Sequence, residues 1–152
     1  MTDSNTGKPQ MIPALIRKCL EAKGRGDDHI VAWGDGAPTR EFLYVEDAAE
    51  GILLAAERYN ASDPVNLGSS IEISIRDLTE TVARLTDFTG RIEWDTSKPN
   101  GQPRRKLDVG RAKQQFGFSS TTSFQRGLTN TLDWYRSRQR VESNGAVAFE
   151  SK

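Results

Sequence analysis

Short apolar runs alternating with stretches of helical apolar spacing set the tightest limit on what this chain can become. His29 to Trp33, Arg40 to Val45, Pro64 to Leu67, Glu72 to Ser74 and Arg91 to Trp94 read as extended segments of only a few residues. Between them the period changes. Ile12, Leu15, Ile16, Cys19 and Leu20 share one face of a helix predicted over 11–23, with Pro13 in its first turn and Gly24 and Gly26 at its end. Ala48, Ala49, Ile52, Leu53 and Ala56 predict a second helix over 46–59, with Glu46 and Asp47 suited to its positive end. Leu78, Val82 and Leu85 predict a third over 75–86, opened by Ser74-Ile75-Arg76-Asp77, a capping box with Asp in the usual Glu position. Asp108 is placed to cap a short helix ending near Phe116-Gly117. Thr122 or Ser123 is placed to cap a last one over 124–138, with Phe124, Leu128, Leu132 and Tyr135 on its apolar side. The expectation is an α/β chain of short strands with four to five helices, a small layer resting on something larger.

Residues 1–10 and 141–152 lack periodicity and read as loop or disordered ends, leaving 11–140 as one folded lobe. Over the 152 residues, 21 Lys and Arg balance 21 Asp and Glu. That balance excludes a strongly basic nucleic-acid binder and an acidic disordered tail. No apolar run reaches membrane-spanning length, and the polar opening is no secretory signal. A cytoplasmic setting is the default expectation. Cys19 and His29 are the sole residues of their kinds, so an internal disulfide, a metal cluster and a His-centred triad lack their parts. Cys19 lies on the apolar helix face and reads as core; His29 reads as solvated.

Three segments carry candidate chemistry. Gly34-Asp35-Gly36 follows a strand, as a dinucleotide turn does, but Pro38 breaks the segment, Thr39 stands where the third glycine belongs, and a strand follows. A tight turn is the simpler reading. Trp33 and Arg40 flank it. An indole at a strand end can lie against a base or sugar face, and a guanidinium can hold a phosphate with two parallel bonds. A half-buried Trp and a surface Arg on a hairpin would give the same spacing. Asp95 to Lys106 is a long polar loop of the kind that rims ligand sites. Asp95 suits hydroxyl groups there and Lys98 suits phosphate; an ordinary solvated loop is the alternative. Glu46 and Asp47 need no chemistry beyond their helix start.

Taken in order, Met11-Ile-Pro-Ala-Leu-Ile-Arg-Lys18, Val31-Ala-Trp-Gly-Asp-Gly36, Arg40-Glu-Phe-Leu-Tyr-Val-Glu-Asp47 and Pro64-Val-Asn-Leu-Gly68 resemble consecutive blocks of the extended short-chain dehydrogenase/reductases, the NAD-dependent epimerase/dehydratase family. Ile73 to Leu78, Trp94 to Arg105 and Leu107-Asp108 continue the series. The Trp-Gly…Arg-Glu-Phe-Leu block and Asp-x-Ser-Lys-Pro-x-Gly-x-Pro-Arg resemble the fucose-synthase branch. The resemblance implies a Rossmann-type enzyme that epimerises GDP-4-keto-6-deoxymannose at two carbons and reduces it with NADPH. It implies that Lys18, Trp33, Arg40 and Asp95 contact the GDP-sugar, with Lys98 beside them. It further implies a homodimer, whose contacts lie outside this sequence.

The family's dinucleotide turn has no counterpart here, and neither does its Tyr-x-x-x-Lys dyad: Tyr44, Tyr59 and Tyr135 are followed four positions on by Ala48, Asp63 and Gln139. Gln10 stands where the family has a His near the cofactor, and an amide does not titrate there. The expectation is therefore the C-terminal, substrate-binding half of such an enzyme: a gene fragment, a mis-called start or one piece of a split enzyme. Such a half is inactive alone, takes up no NADP(H) by itself, and exposes an apolar face where the Rossmann half packs. A related nucleotide-sugar epimerase or dehydratase, or a non-catalytic nucleotide-sugar-binding module, is the alternative.

Overall fold

The structure, a computed structural model, describes residues 10–147. Of the ends expected as loop or disordered, 1–10 and 141–152, residues 1–9 and 148–152 lie outside the described residues, and 141–147 are helix rather than tail. The elements run α1 (Met11–Arg25), β1 (His29–Trp33), β2 (Thr39–Glu41), α2 (Val45–Arg58), β3 (Glu72–Ser74), α3 (Ile75–Leu85), β4 (Arg91–Asp95), β5 (Arg104–Arg105), α4 (Gly110–Phe116) and α5 (Phe124–Val147). The α/β class and the short strands stand as the periodicity predicts. They fall into two compact units, the first comprising residues up to Ala37 with Ser74–Gly101, the second Pro38–Ile73 with the residues from Gln102 on.

In the first unit, β1 and β4 pair in parallel, His29 opposite Arg91 through Trp33 opposite Asp95. Helices α1 and α3 pack together, and α1 also lies on β1. Ile16, Cys19 and Ala22 from α1, Ile30 and Ala32 from β1, Leu78, Val82 and Ala83 from α3, and Phe88 form the buried core. Helix α1 passes through Gly24 and ends at Gly26, which takes the left-handed conformation with φ 74°. The capping reading of α3 holds: Ser74 Oγ accepts from Asp77 N at 3.0 Å and donates to Asp77 Oδ2 at 2.6 Å.

The second unit is built on a three-stranded sheet of order β3-β2-β5, with β2 and β5 parallel. Ala112, Phe116 and Phe118 form a buried cluster against which Leu43, Leu54, Ala55, Tyr59, Val65 and Leu67 pack. Leu128 and Leu132 of α5 are buried as well. Several expectations are corrected here. The strand expected over 40–45 is only Thr39–Glu41, because Phe42 turns to meet Phe124 (ring centroids 5.9 Å apart) and Val45 already begins α2. Pro64–Leu67 joins no ladder; its alternation is used to lay Val65 and Leu67 on the cluster. Asp108 does not cap α4, since Val109 holds that position and Asp108 Oδ1 accepts instead from Gly110 N at 2.9 Å. Ser123 Oγ accepts from Arg126 N at 3.3 Å and so caps α5, which runs past Arg138 and Arg140 to Val147. Once nucleated, a helix gains one backbone bond for each residue it adds, without needing an apolar face. β1 and β2 belong to different sheets, so Trp33 and Arg40 do not share a hairpin.

Two features of α2 depart from its spacing. Val45, Ile52 and Leu53 are 70%, 61% and 65% exposed, so the stripe that predicts the helix is not the face it buries in its own unit. Its buried positions are Gly51 and Asp47. Gly51 is forced to be small: a Cβ there would come within 3.0 Å of the Phe118 ring and the Leu67 side chain. Asp47, expected only to favour the helix end, accepts from Thr121 Oγ1 at 3.2 Å, Thr122 N at 3.1 Å and Thr122 Oγ1 at 3.0 Å. It ties the start of α2 to the turn before α5. Asp47→Ala leaves the Thr122 amide without its acceptor and is expected to lower stability by about 1.5–3 kcal/mol, whereas Glu46→Ala changes little. Urea denaturation of the two variants checks this, and equal midpoints would remove the tie.

Candidate functional site

The first unit gathers four of the five residues singled out for sugar-nucleotide contact. The parallel register sets Trp33 directly opposite Asp95, and Gly34 N continues the ladder by donating to Asp95 O at 2.9 Å. Beyond that point both strands turn. Asp95 Oδ1 accepts from Ser97 N at 3.1 Å and from Ser97 Oγ, and Lys98 N donates to Asp95 O at 3.2 Å. This tight turn brings the Lys98 ammonium over the Trp33 ring, 6.0 Å from its centroid. The Trp33 indole is not half-buried, as its bland reading has it, but 69% exposed. The hydrogen bonds from Ser97 hold the Asp95 carboxyl below the usual carboxylate range, with Lys98 adding to them, so it is ionised at neutral pH.

Lys18 reaches the same strand from α1, its Nζ donating to Val31 O at 2.7 Å. Among the described residues β1 pairs with β4, and Lys18 adds a side-chain donor to one of its carbonyls. Arg40 lies in the second unit, on β2 opposite Arg105, with Nη1 donating to Thr39 O at 2.7 Å. Gln10 is an exposed residue at the start of α1; its carbonyl accepts from Ala14 N at 3.0 Å and its side chain caps nothing.

Two residues that the sequence reading passed over hold the turn between Trp33 and Ala37. Asn100 Oδ1 accepts from Asp35 N at 2.9 Å. Arg76 donates through Nη2 to Asp35 O and through its backbone N to Gly36 O at 2.9 Å, while its guanidinium lies over the Trp94 ring at 4.8 Å. Both are spent on backbone groups across the unit, which spacing along the chain does not reveal. Gly34 and Gly36 have φ of 81° and 77°, and a Cβ on Gly36 would meet the Trp94 ring at 2.7 Å. The Gly-Asp-Gly segment is thus a tight turn.

Cys19 is fully buried and burial pushes its thiol up, the opposite of an activated nucleophile. His29 opens β1 with Nδ1 2.7 Å from Asp28 Oδ1 and Nε2 3.8 Å from Glu93; the hydrogen bond to Asp28, then Glu93, raises its pKa. Among the described residues no group of three His, Cys, Asp or Glu is placed to hold a metal ion, and no helix is long and apolar enough to cross a membrane.

Near Arg40, Glu72 organises the β3-β2-β5 sheet. It accepts from Arg104 Nε at 2.8 Å and Nη2 at 2.7 Å, and from Thr39 Oγ1 at 2.9 Å. An open cavity of about 560 Å³ adjoins it, lined by Ser70, Arg104, Lys106, Leu107, Asp108, Val109 and Gly110.

Comparison with known proteins gives the chain's relationships. Residues 3–68 match the model of the NAD dependent epimerase/dehydratase family. The chain is 40% identical over 125 residues to GDP-L-fucose synthase 1 of Arabidopsis thaliana, covering 82% of this chain and 38% of that protein. It is 36% identical over 138 residues to GDP-L-fucose synthase of Escherichia coli K12, covering 85% and 43%. Among solved structures it resembles a GDP-L-fucose synthetase from Naegleria fowleri bound to NADP, with TM-score 0.82, 29% identity, and coverage of 90% of this chain and 43% of that one. Residues 3–68 of the chain thus carry the sequence pattern of the NAD-dependent epimerase/dehydratase family. The chain spans about two-fifths of the length of these GDP-L-fucose synthases.

The Glu72 pairing makes a pH prediction. Its hydrogen bonds from Arg104 lower the folded pKa from 4.5 to about 2. A depressed carboxylate stabilises the fold fully above its unfolded pKa and loses that contribution as pH falls through the folded one. Stability is therefore expected to fall between pH 4.5 and about 2, with Glu72→Gln flattening that stretch of the curve. Urea midpoints at neutral and acid pH measure it, and parallel curves for both proteins would contradict it.

Proposed function

We propose that this chain is the nucleotide-sugar-holding part of a GDP-L-fucose synthase, an NADP-dependent oxidoreductase and epimerase that converts GDP-4-keto-6-deoxymannose to GDP-L-fucose. One observation carries the reading: an exposed Trp33 ring with the Lys98 ammonium above it and Asp95 beside it in register, in a chain 36–40% identical to proteins of that name. On this reading Trp33 offers its flat face to the base or sugar, and Asp95 accepts from hydroxyls. Lys18 and Lys98 of the first unit neutralise phosphate; Arg40, in the second unit, is proposed by itself as a phosphate contact with two parallel donors. A cytoplasmic setting suits a sugar-nucleotide enzyme.

NADP supplies the hydride in the complete enzyme. The described residues of this chain do not fit it. In the Gly34-Asp35-Gly36 turn three amides are committed: Gly34 N to Asp95 O, Asp35 N to Asn100, Ala37 N to Asp35 Oδ1 at 2.8 Å. With three of its amides so committed, the turn is a poor cradle for a pyrophosphate. The Tyr-x-x-x-Lys pair, in which the Lys lowers the Tyr pKa for proton transfer, is missing from the sequence. Gln10 offers no proton near neutral pH. The chemistry thus belongs to a Rossmann half, the partner this reading requires, and the exposed stripe of Val45, Ile52 and Leu53 is apolar surface of the kind such a half covers.

Two outcomes follow. The purified 152-residue chain, given GDP-4-keto-6-deoxymannose and NADPH, oxidises no NADPH; measurable turnover overturns the division of labour. Arg40→Ala weakens GDP binding by about 1.5–3 kcal/mol in calorimetry, the scale of a charged hydrogen bond. Unchanged affinity removes Arg40 from the site.

A further inference from the structure

We infer that Arg76 is a positioning residue for Trp33, acting through the Gly34-Asp35-Gly36 turn; the inference rests on the nucleotide-sugar reading for its ligand but not for its geometry. A strand that ends in Gly-Asp-Gly has little conformational preference of its own, because glycine populates positive and negative φ about equally. Both glycines here sit at positive φ, 81° and 77°. The path of the chain as it leaves Trp33 is therefore fixed by what holds the turn from outside.

Arg76 does this twice. Its backbone N donates to Gly36 O at 2.9 Å, and its guanidinium donates to Asp35 O. The guanidinium is held in place by the Trp94 ring beneath it, 4.8 Å away. Trp94 is the residue before Asp95 and is paired in register with Ala32, the residue before Trp33. The absence of a side chain on Gly36 is what lets the turn close onto this stack: a Cβ there would come within 2.9 Å of Arg76 Cβ and 2.7 Å of the Trp94 ring. Arg76 itself sits in the first turn of α3, just after the Ser74 cap, so its own position is set by a rigid element. The turn that follows the exposed Trp33 plate is thus held by a helix start, in addition to the strand register behind the ring and Lys98 over it.

The test compares Arg76→Ala, Arg76→Met and Arg76→Lys in the full chain by two readouts: the indole N–H resonances of the three tryptophans, and the dissociation constant for GDP. Arg76→Met keeps an aliphatic stem over Trp94 but cannot donate, and Arg76→Lys can donate but cannot lie flat. Arg76→Ala and Arg76→Met are expected to shift and broaden the Trp33 resonance, to leave the Trp134 resonance in place, and to weaken GDP binding roughly tenfold. Arg76→Lys is expected to recover part of both. A Trp33 resonance unmoved in Arg76→Met overturns the inference, and so does unchanged GDP affinity in a variant whose wild type binds. If the wild-type chain binds no GDP while the Trp33 resonance moves as described, the nucleotide reading fails and the positioning role stands. Should Arg76→Ala not fold, Arg76→Met and Arg76→Lys decide the question.

Discussion

The register of two five-residue strands governs the candidate site. β1 and β4 run parallel, so their last residues, Trp33 and Asp95, arrive side by side at the same edge. A slip of one residue would send every side chain to the opposite face and separate the pair. What prevents the slip is burial. Ile30 and Ala32 alternate inward on β1 beneath α1, while Trp33 is left in water. The hydrophobic packing of Ile16, Cys19, Leu78 and Val82 is therefore also what aims the indole.

Short-range polar contacts complete the arrangement. Asp95 closes its own turn through Ser97 and so brings Lys98 back over Trp33. Lys18 donates to a carbonyl of β1. The same residues that the proposed reading gives to a sugar diphosphate thus also serve the local fold. That double use explains why a structural reading and a ligand reading of the same loop look alike in one dimension. A side chain that completes a turn at the end of a strand is also a side chain presented at a sheet edge.

The second unit follows a different logic. Its sheet strands are two and three residues long, and their hydrogen bonds are supplemented by Glu72, which gathers Thr39 and Arg104 from the neighbouring strands. Asp47 does comparable work between α2 and the turn before α5. Two buried or half-buried carboxylates with full sets of donors stand in for ladder that such short strands cannot supply. Meanwhile the apolar stripe of α2 that includes Ile52 and Leu53 remains in solvent. On the proposed reading, that stripe belongs to an enzyme more than twice as long as this chain.

The elements were legible in the sequence wherever local physics decides them. The three- and four-residue spacing of Ile12, Leu15, Ile16 and Cys19 made α1, Ser74 capped α3, and Gly34 and Gly36 made a turn, because each depends on neighbours along the chain. The resemblance to the epimerase/dehydratase family was likewise carried by residue order alone. Tertiary structure decided the rest. It ended β2 at Glu41, denied Pro64–Leu67 a ladder, turned α2 to bury Asp47 rather than Ile52, and split Trp33 from Arg40 into different sheets. It also recruited Arg76 and Asn100 to the Trp33 turn. Those outcomes depend on which groups from distant parts of the chain compete for the same backbone donors, acceptors and apolar surface, and spacing along one strand carries no record of that competition.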